Sequence, residues 1–292
     1  MTDQASILRK KIEQLNTNRK NQSNHKTLAI ISGKGGVGKS NFSLNFALTL
    51  QKRGYRTLLI DMDIGMGNID ILMGTQSRFT IVDFFRNNIG FENIITKGFE
   101  GLDYIAGGSG LSDFVNIEEE KLESFFQHFH MLLSQYDYIL LDMGAGISTD
   151  SLKFILSVDD CIVITTPEPT SITDAYAAMK FIHTRNNTLP LYLVVNRTIT
   201  KKDGVETLQK LRQVVKQFLH RDLINLGYIP DDTNVAQAVR KQIPFVFFNE
   251  KSEASKALRE IADRYGKQQF TESHLVNRHS FVSKLKRFLF ER

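Results

Sequence analysis

The stretch Gly33-Lys34-Gly35-Gly36-Val37-Gly38-Lys39-Ser40 leaves this chain few folds to choose from. It follows a short apolar run, Thr27 to Ile31, and opens into a segment with Phe42, Phe46, Ala47 and Leu50 at helical spacing. Strand, glycine loop and helix is the setting in which backbone N–H groups converge on an anion, and the helix N-terminus adds partial positive charge. Gly33-x4-Gly38-Lys39-Ser40 fits the phosphate-loop pattern G-x-x-x-x-G-K-[ST] in full. In that pattern Gly33, Gly35, Gly36, Val37, Gly38 and Asn41 form the cradle, Lys39 reaches the β- and γ-phosphates, and the Ser40 hydroxyl ligates Mg²⁺.

The remaining chain repeats one plan. Arg56 to Ile60 is a buried strand that delivers Asp61-Met62-Asp63-Ile64-Gly65-Met66-Gly67-Asn68, and Tyr138 to Leu141 is another that ends in Asp142. Acids at the carboxyl ends of strands beside a phosphate loop are placed to meet Mg²⁺ and water. Further strands are expected at Leu102 to Ala106, Ile162 to Thr165 and Leu191 to Val195. Helices are expected at Thr80 to Asn87, at Glu118 to Tyr136, from near Ser171, and at Ser252 to Gly266; Gly107 to Gly110 reads as a loop. Leu122, Phe125, Phe126, Phe129 and Leu133 have the spacing of a core-facing helix stripe. The fold class is α/β: a doubly wound, mostly parallel sheet of about seven or eight strands with helices on both faces.

Bulk numbers matter where they exclude. No apolar run approaches the roughly 18 residues of a membrane span, and the polar N-terminus is no signal peptide. A single cysteine, Cys161 in an apolar strand, excludes an intramolecular disulfide and argues against iron–sulfur carriage, which needs several thiolates. Of the net charge of +5, residues 1–26 hold +4 and residues 267–292 another +4, which leaves the body at −3. Basic tails seeking an acidic partner fit this better than a basic body lying along DNA.

An ordinary phosphate loop has no requirement for charge at Lys34, directly after the first glycine. With it the sequence K-G-G-V-G-K-S resembles the deviant Walker A family, the MinD/ParA-like ATPases, over roughly residues 27–266. The resemblance implies ATP and Mg²⁺ as cofactors and an ATP-dependent homodimer. It makes Lys34 a catalytic group that crosses to the partner's nucleotide, in the manner of an arginine finger. Asp61-x-Asp63-x-Gly65-x-x-Asn68 matches the family's D-x-D-x-G-x-x-N, which assigns Asp63 to the attacking water and Asp61 to the outer metal shell. Asp142-x-Gly144-x-Gly146 resembles switch II, with Asp142 in the metal's coordination shell and glycines that respond to the γ-phosphate. GTPases of this general class show N-K-x-D; Asn196-Arg197-Thr198-Ile199 lacks the acid, so Asn196 is expected to read adenine and Arg197 to stack on it. Pro230 and Asp231, with Val235, Ala238 and Pro244, resemble the second adenine loop.

The tails narrow the resemblance. Residues 1–26 read as a partner-binding helix and linker, residues 27–266 as the ATPase domain, and residues 267–292 as a linker and an amphipathic helix. Asp3-Gln4-Ala5-x-x-Leu8-Arg9 resembles the N-terminal motif of flagellar-number regulators of the FlhG/YlxH (FleN) type, which activates an FlhF-type signal-recognition GTPase; Gln4 would orient a water there. At the other end Phe281, Val282, Leu285, Phe288 and Leu289 share one face flanked by Lys284, Lys286 and Arg287. That describes an interfacial helix on an anionic membrane, and MinD-like proteins end in such an element. Docking back on the domain is the alternative, and could be the resting state of the same helix. The implied protein is cytoplasmic, reversibly bound to the inner face of the cell membrane, with flagellar switch and C-ring proteins as further candidate partners and no sequence-specific nucleic acid. Three rivals stay open: a ParA-type partitioning ATPase on non-specific DNA, a MinD-type division-site ATPase, and a nucleotide-gated scaffold with negligible hydrolysis.

Overall fold

Parallel strands with apolar residues on both faces dictate the architecture. The computed structural model describes residues 25–63, 67–87, 89–108, 119–271 and 281–290. Eight strands form one sheet: β1 (Lys26–Ser32), β2 (Thr57–Met62), β3 (Ile95–Lys97), β4 (Asp103–Ile105), β5 (Tyr138–Met143), β6 (Asp160–Thr165), β7 (Leu191–Thr198) and β8 (Ile224–Pro230). Their order is β3-β4-β2-β5-β1-β6-β7-β8. All pairs are parallel except β3 with β4. Leu28 to Ile31, Leu58 to Ile60, Ile139 to Leu141, Ile162 to Ile164 and Leu191 to Val195 are each at most 1% exposed, as strands covered on both faces require.

The first helices in the chain are α1 (Lys39–Lys52), α2 (Ile69–Met73), α3 (Ile81–Asn87) and α4 (Phe91–Ile94). They are followed by α5 (Glu119–Gln135), α6 (Thr149–Ser157), α7 (Pro169–His183) and α8 (Lys201–Leu219). The last four are α9 (Thr233–Arg240), α10 (Phe245–Phe248), α11 (Glu253–Thr271) and α12 (Phe281–Phe290). Alternation along each strand splits the core in two. Ala29 and Ile31 face the side covered by α3 to α8 and α12, while Leu28 and Ile30 face α1, α2 and α9 to α11. The aromatic stripe of α5 is core as its spacing predicts: Phe125, Phe126, Phe129 and Leu133 are all buried.

Several boundaries differ from expectation for local reasons. β7 runs on through Asn196 and Arg197 to Thr198, because β8 continues to pair with it through a register shift. α7 starts at Pro169 rather than near Ser171, since proline suits the first helical position. α11 extends to Thr271, into chain expected to be connecting. α2, α4, α10 and β3 are too short to show a period. The N-terminal motif, Gly65, Ser109, Gly110, Glu118 and residues 272–280 lie outside the described residues. No helix among the described residues is long and apolar enough to cross a membrane.

Candidate functional site

The centre of the sheet places the phosphate loop in the crevice where the strand order reverses, with β5 on one side of β1 and β6 on the other. The loop itself is shaped by glycine. Gly36 (φ 80°) and Gly38 (φ 89°) take the left-handed conformation that side chains disfavour. Space beside Gly36 is open, with no atom within 4 Å of where a Cβ would stand. Gly38 caps α1 without any side-chain acceptor, and the first turn of α1 holds no acid. The N–H groups of that helix start are therefore available to an external anion.

Two distant elements grip the loop. Gly33 packs on the backbone of α7, where a Cβ would fall 2.2 Å from the Asp174 carbonyl carbon. Lys34 Nζ lies 2.5 Å from Glu168 Oε2 and 3.2 Å from Thr170 Oγ1, just before and within α7. The hydrogen bond from Lys34, and then its charge, hold the Glu168 carboxyl below its usual range. On the other side Asn196 Nδ2 donates to the Val37 carbonyl at 2.8 Å, and Arg197 Nη1 reaches the Gly36 carbonyl at 3.4 Å. Asn196 fits only because residue 38 is glycine: a Cβ there would meet its Nδ2 at 2.4 Å. Arg197 sits at positive φ (57°) and approaches Asp231 Oδ1 at 4.0 Å, which gathers Asn196, Arg197 and Asp231 at one rim. Pro230 ends β8 beside Asp231. Asn41 turns its Oδ1 to Asn45 Nδ2 instead of into the loop.

Three charged groups meet at the floor. Lys39 and Asp142 are 6% and 0% exposed, and Lys39 Nζ donates to Asp142 Oδ1 at 2.9 Å. Ser43 Oγ lies 2.6 Å from the same oxygen. Asp142 Oδ2 is buried with no hydrogen-bond partner. Asp61 stands opposite Asp142 in the β2–β5 register. Its Oδ1 accepts the N–H of Asp63, and its Oδ2 accepts those of Asn68 and, more weakly, Ile69. Asp61 thus links Asp63, just past the end of β2, to the start of α2 at Asn68 and Ile69. Burial first, and the Asp142 charge second, push its carboxyl up to about 7, against the pull of the Asp63 and Ile69 N–H groups and of Lys39. Asp63 approaches Gly144, whose missing Cβ would lie 3.5 Å from Asp63 Oδ1, and Gly146 N–H donates to the Ser32 carbonyl at 3.1 Å.

The residues present fit a nucleoside triphosphate with a divalent cation. An open glycine cradle and an uncapped helix start suit phosphate oxygens. The orphaned Asp142 Oδ2, near Lys39 and Ser40, suits a cation or its bound water. Among the described residues no three His, Cys, Asp or Glu side chains form a cage by themselves. Mg²⁺ in such sites is held by one or two protein oxygens with phosphate and water.

The sequence reading omitted three residues that matter here. Glu168 and Thr170 hold Lys34, and the signal was an acid at the start of a helix following the loop's neighbouring strand. Ser43 sits one helical turn past Lys39, on the same face of α1. The C-terminal helix has its apolar face against the domain. Phe281, Val282 and Leu285 are buried, and Phe281 stacks on Phe129 of α5 at 4.5 Å. Lys284 and Lys286, expected to lie free of that face, pair with Asp159 at 3.6 Å and Glu123 at 2.7 Å.

Comparison with known proteins agrees with this geometry. Residues 23–265 match the ParA family model described as NUBPL iron-transfer P-loop NTPase. The chain is 37% identical over 224 residues to the flagellum site-determining protein YlxH of Helicobacter pylori, covering 76% of this chain and 75% of that one. It is 30% identical over 237 residues to the antiactivator FleN of Pseudomonas aeruginosa, covering 81% and 85%. Among solved structures, the septum site-determining protein MinD of Pyrococcus horikoshii complexed with Mg-ADP shares the fold, with a TM-score of 0.69 at 23% identity and coverage of 86% and 100%. On the family match, the relatives and the fold, the chain belongs to the ParA/MinD family of P-loop NTPases.

Proposed function

We propose that this protein is a Mg²⁺-dependent ATPase switch that regulates the number or placement of flagella. The observation that carries this reading is its similarity to YlxH and FleN over three quarters or more of each relative. Gly33 to Asn41 hold the phosphates, and Asn196, Arg197, Pro230 and Asp231 form the rim that receives adenine. Ser40 and Asp142, with Asp61 and Asp63 behind them, would hold Mg²⁺, which neutralises charge on the β- and γ-phosphates when bound. Asp63 orients the attacking water. Lys34 leaves Glu168 and crosses to the partner's nucleotide in an ATP-dependent homodimer. Asp63→Ala is therefore expected to keep the ATP dimer while losing on the order of 100-fold or more in hydrolysis. Lys34→Ala is expected to stay monomeric. Size-exclusion with ATP checks both, and rapid turnover by Asp63→Ala would remove its role.

The N-terminal motif is assigned to an FlhF-type GTPase. A peptide of residues 1–18 should accelerate GTP hydrolysis by such a partner, and the Gln4→Ala peptide should not. An unchanged GTPase rate would leave the motif with another job.

A second reading draws on α8, which exposes Lys201, Lys202, Lys210, Arg212 and Lys216. Of these Lys202 pairs with Glu206 at 3.7 Å. Such a face suits the ParA-type alternative on non-specific DNA. A salt-dependent DNA mobility shift that is lost in Lys210→Glu/Arg212→Glu would favour it.

A further inference from the structure

We infer that Ser43 is the positioning residue that keeps Asp142 aimed while Lys39 changes partners. This rests on Asp142 serving the cation in the site described above. Ser43 has one hydroxyl proton and two acceptors within reach, Asp142 Oδ1 at 2.6 Å and the Lys39 carbonyl at 3.0 Å. The proton goes to the nearer, charged acceptor. At 2.6 Å it is a charge-assisted bond of the shorter and stronger kind. The Lys39 carbonyl keeps the backbone partner that any helix interior provides.

The consequence follows from what else touches Asp142. Its Oδ1 has two donors, Lys39 Nζ and Ser43 Oγ, while its Oδ2 has none and is closed off from solvent. In a phosphate loop the lysine serves the β- and γ-phosphates once nucleotide arrives. Lys39 must then give up its hold on Asp142, a carboxylate that is 0% exposed and faces a second acid, Asp61. Without another donor that carboxylate would be free to rotate toward the vacated ammonium position. Ser43 stays, because it sits on α1 one turn beyond Lys39, outside the phosphate-loop pattern that ends at Ser40. Its bond fixes the carboxylate plane, so that Oδ2 keeps the position from which it would serve the cation.

The role is separable from packing. Ser43→Ala deletes the donor, leaves the volume nearly unchanged, and substitutes a better helix former. Fluorescent ADP binding to the full chain, measured in EDTA and across a Mg²⁺ titration, reads the effect without requiring turnover. Ser43→Ala is expected to bind ADP in EDTA as wild type does, and to need about tenfold more Mg²⁺ for the half-maximal gain in affinity, the factor that corresponds to one hydrogen bond to a charged group. Ser43→Thr, which keeps the hydroxyl, is expected to recover most of it. In an Asp142→Asn background Ser43→Ala is expected to change the Mg²⁺ midpoint no further, because the two act through one carboxylate. An unchanged midpoint in Ser43→Ala, or an equal shift in both backgrounds, overturns the assignment. If Asp142→Asn alone leaves the midpoint unmoved, the fault lies in placing the cation at Asp142, and the two failures are distinct.

Discussion

Replacing Gly33 by alanine is expected to lower nucleotide affinity on the order of 100-fold, equivalent to about 2.7 kcal/mol. The reason is geometric. A Cβ at residue 33 would stand 2.2 Å from the Asp174 carbonyl carbon, 2.3 Å from its oxygen and 2.6 Å from the Ala175 nitrogen. These are backbone atoms in the middle of α7, and they cannot rotate away as a side chain would. Either α7 retreats from the sheet or the first half of the loop lifts. Both movements separate Lys34 from Glu168 and spoil the convergence of N–H groups on the phosphates. Overpacking of this kind also costs about 1–3 kcal/mol in the folded state. Gly35→Ala is the internal control, since its Cβ would meet only Ala145 Cβ at 3.7 Å, an ordinary contact. Thermal melting should therefore fall for Gly33→Ala and hold for Gly35→Ala. Fluorescent nucleotide titration checks the affinity, and a Gly33→Ala value within threefold of wild type would mean that the loop and α7 are not packed as described.

Leu285→Glu is expected to abolish binding to anionic vesicles in every nucleotide state while sparing nucleotide affinity. Leu285 is 0% exposed, at the centre of the face that α12 lays against α5 and α6. That same face is the one proposed to enter a membrane, so the domain and the lipid compete for it. Docked burial of Phe281, Val282 and Leu285 is worth up to about 1.5–3 kcal/mol per side chain, comparable to what partial interfacial insertion returns. The proposed dimer would tip the balance, because two linked helices gain from high effective concentration. The segment that resembles switch II would supply a route to the groove. Asp142 to Gly146 leads within two residues to the Ser148 cap of α6, on which α12 rests. The wild-type protein should float with vesicles in ATP and remain largely in solution in ADP. Glu123→Lys, which turns an attraction to Lys286 into repulsion, should raise the floating fraction in ADP. Equal flotation of the wild type in both nucleotides would remove the switch.

Much of the site could be read before the fold was known, because its signals are local. Gly33 to Ser40 carry their own geometry: glycines at positive φ, a lysine and a hydroxyl at a helix start. Asp61 and Asp142 were legible as acids closing apolar runs. A doubly wound, mostly parallel sheet of about seven or eight strands followed from repeated units of strand and helix, and the structure has eight. The charge of the body was less well read, because a total of −3 conceals the exposed basic residues of α8.

What the sequence alone determined, then, was which groups exist and which end of the sheet they occupy. Tertiary structure decided what each group touches. Lys34 meets Glu168 across 134 residues, Ser43 meets Asp142 across 99, and Asn196 meets Val37 across 159. Such pairings depend on strand order, β2 and β5 on one side of β1 and β6 and β7 on the other. Every central strand is apolar on both faces, so its pattern carries no preference for a neighbour. The same holds for α12. An amphipathic stripe states that a face will be buried, and only the groove formed by α5 and α6 settles that here it is buried against protein.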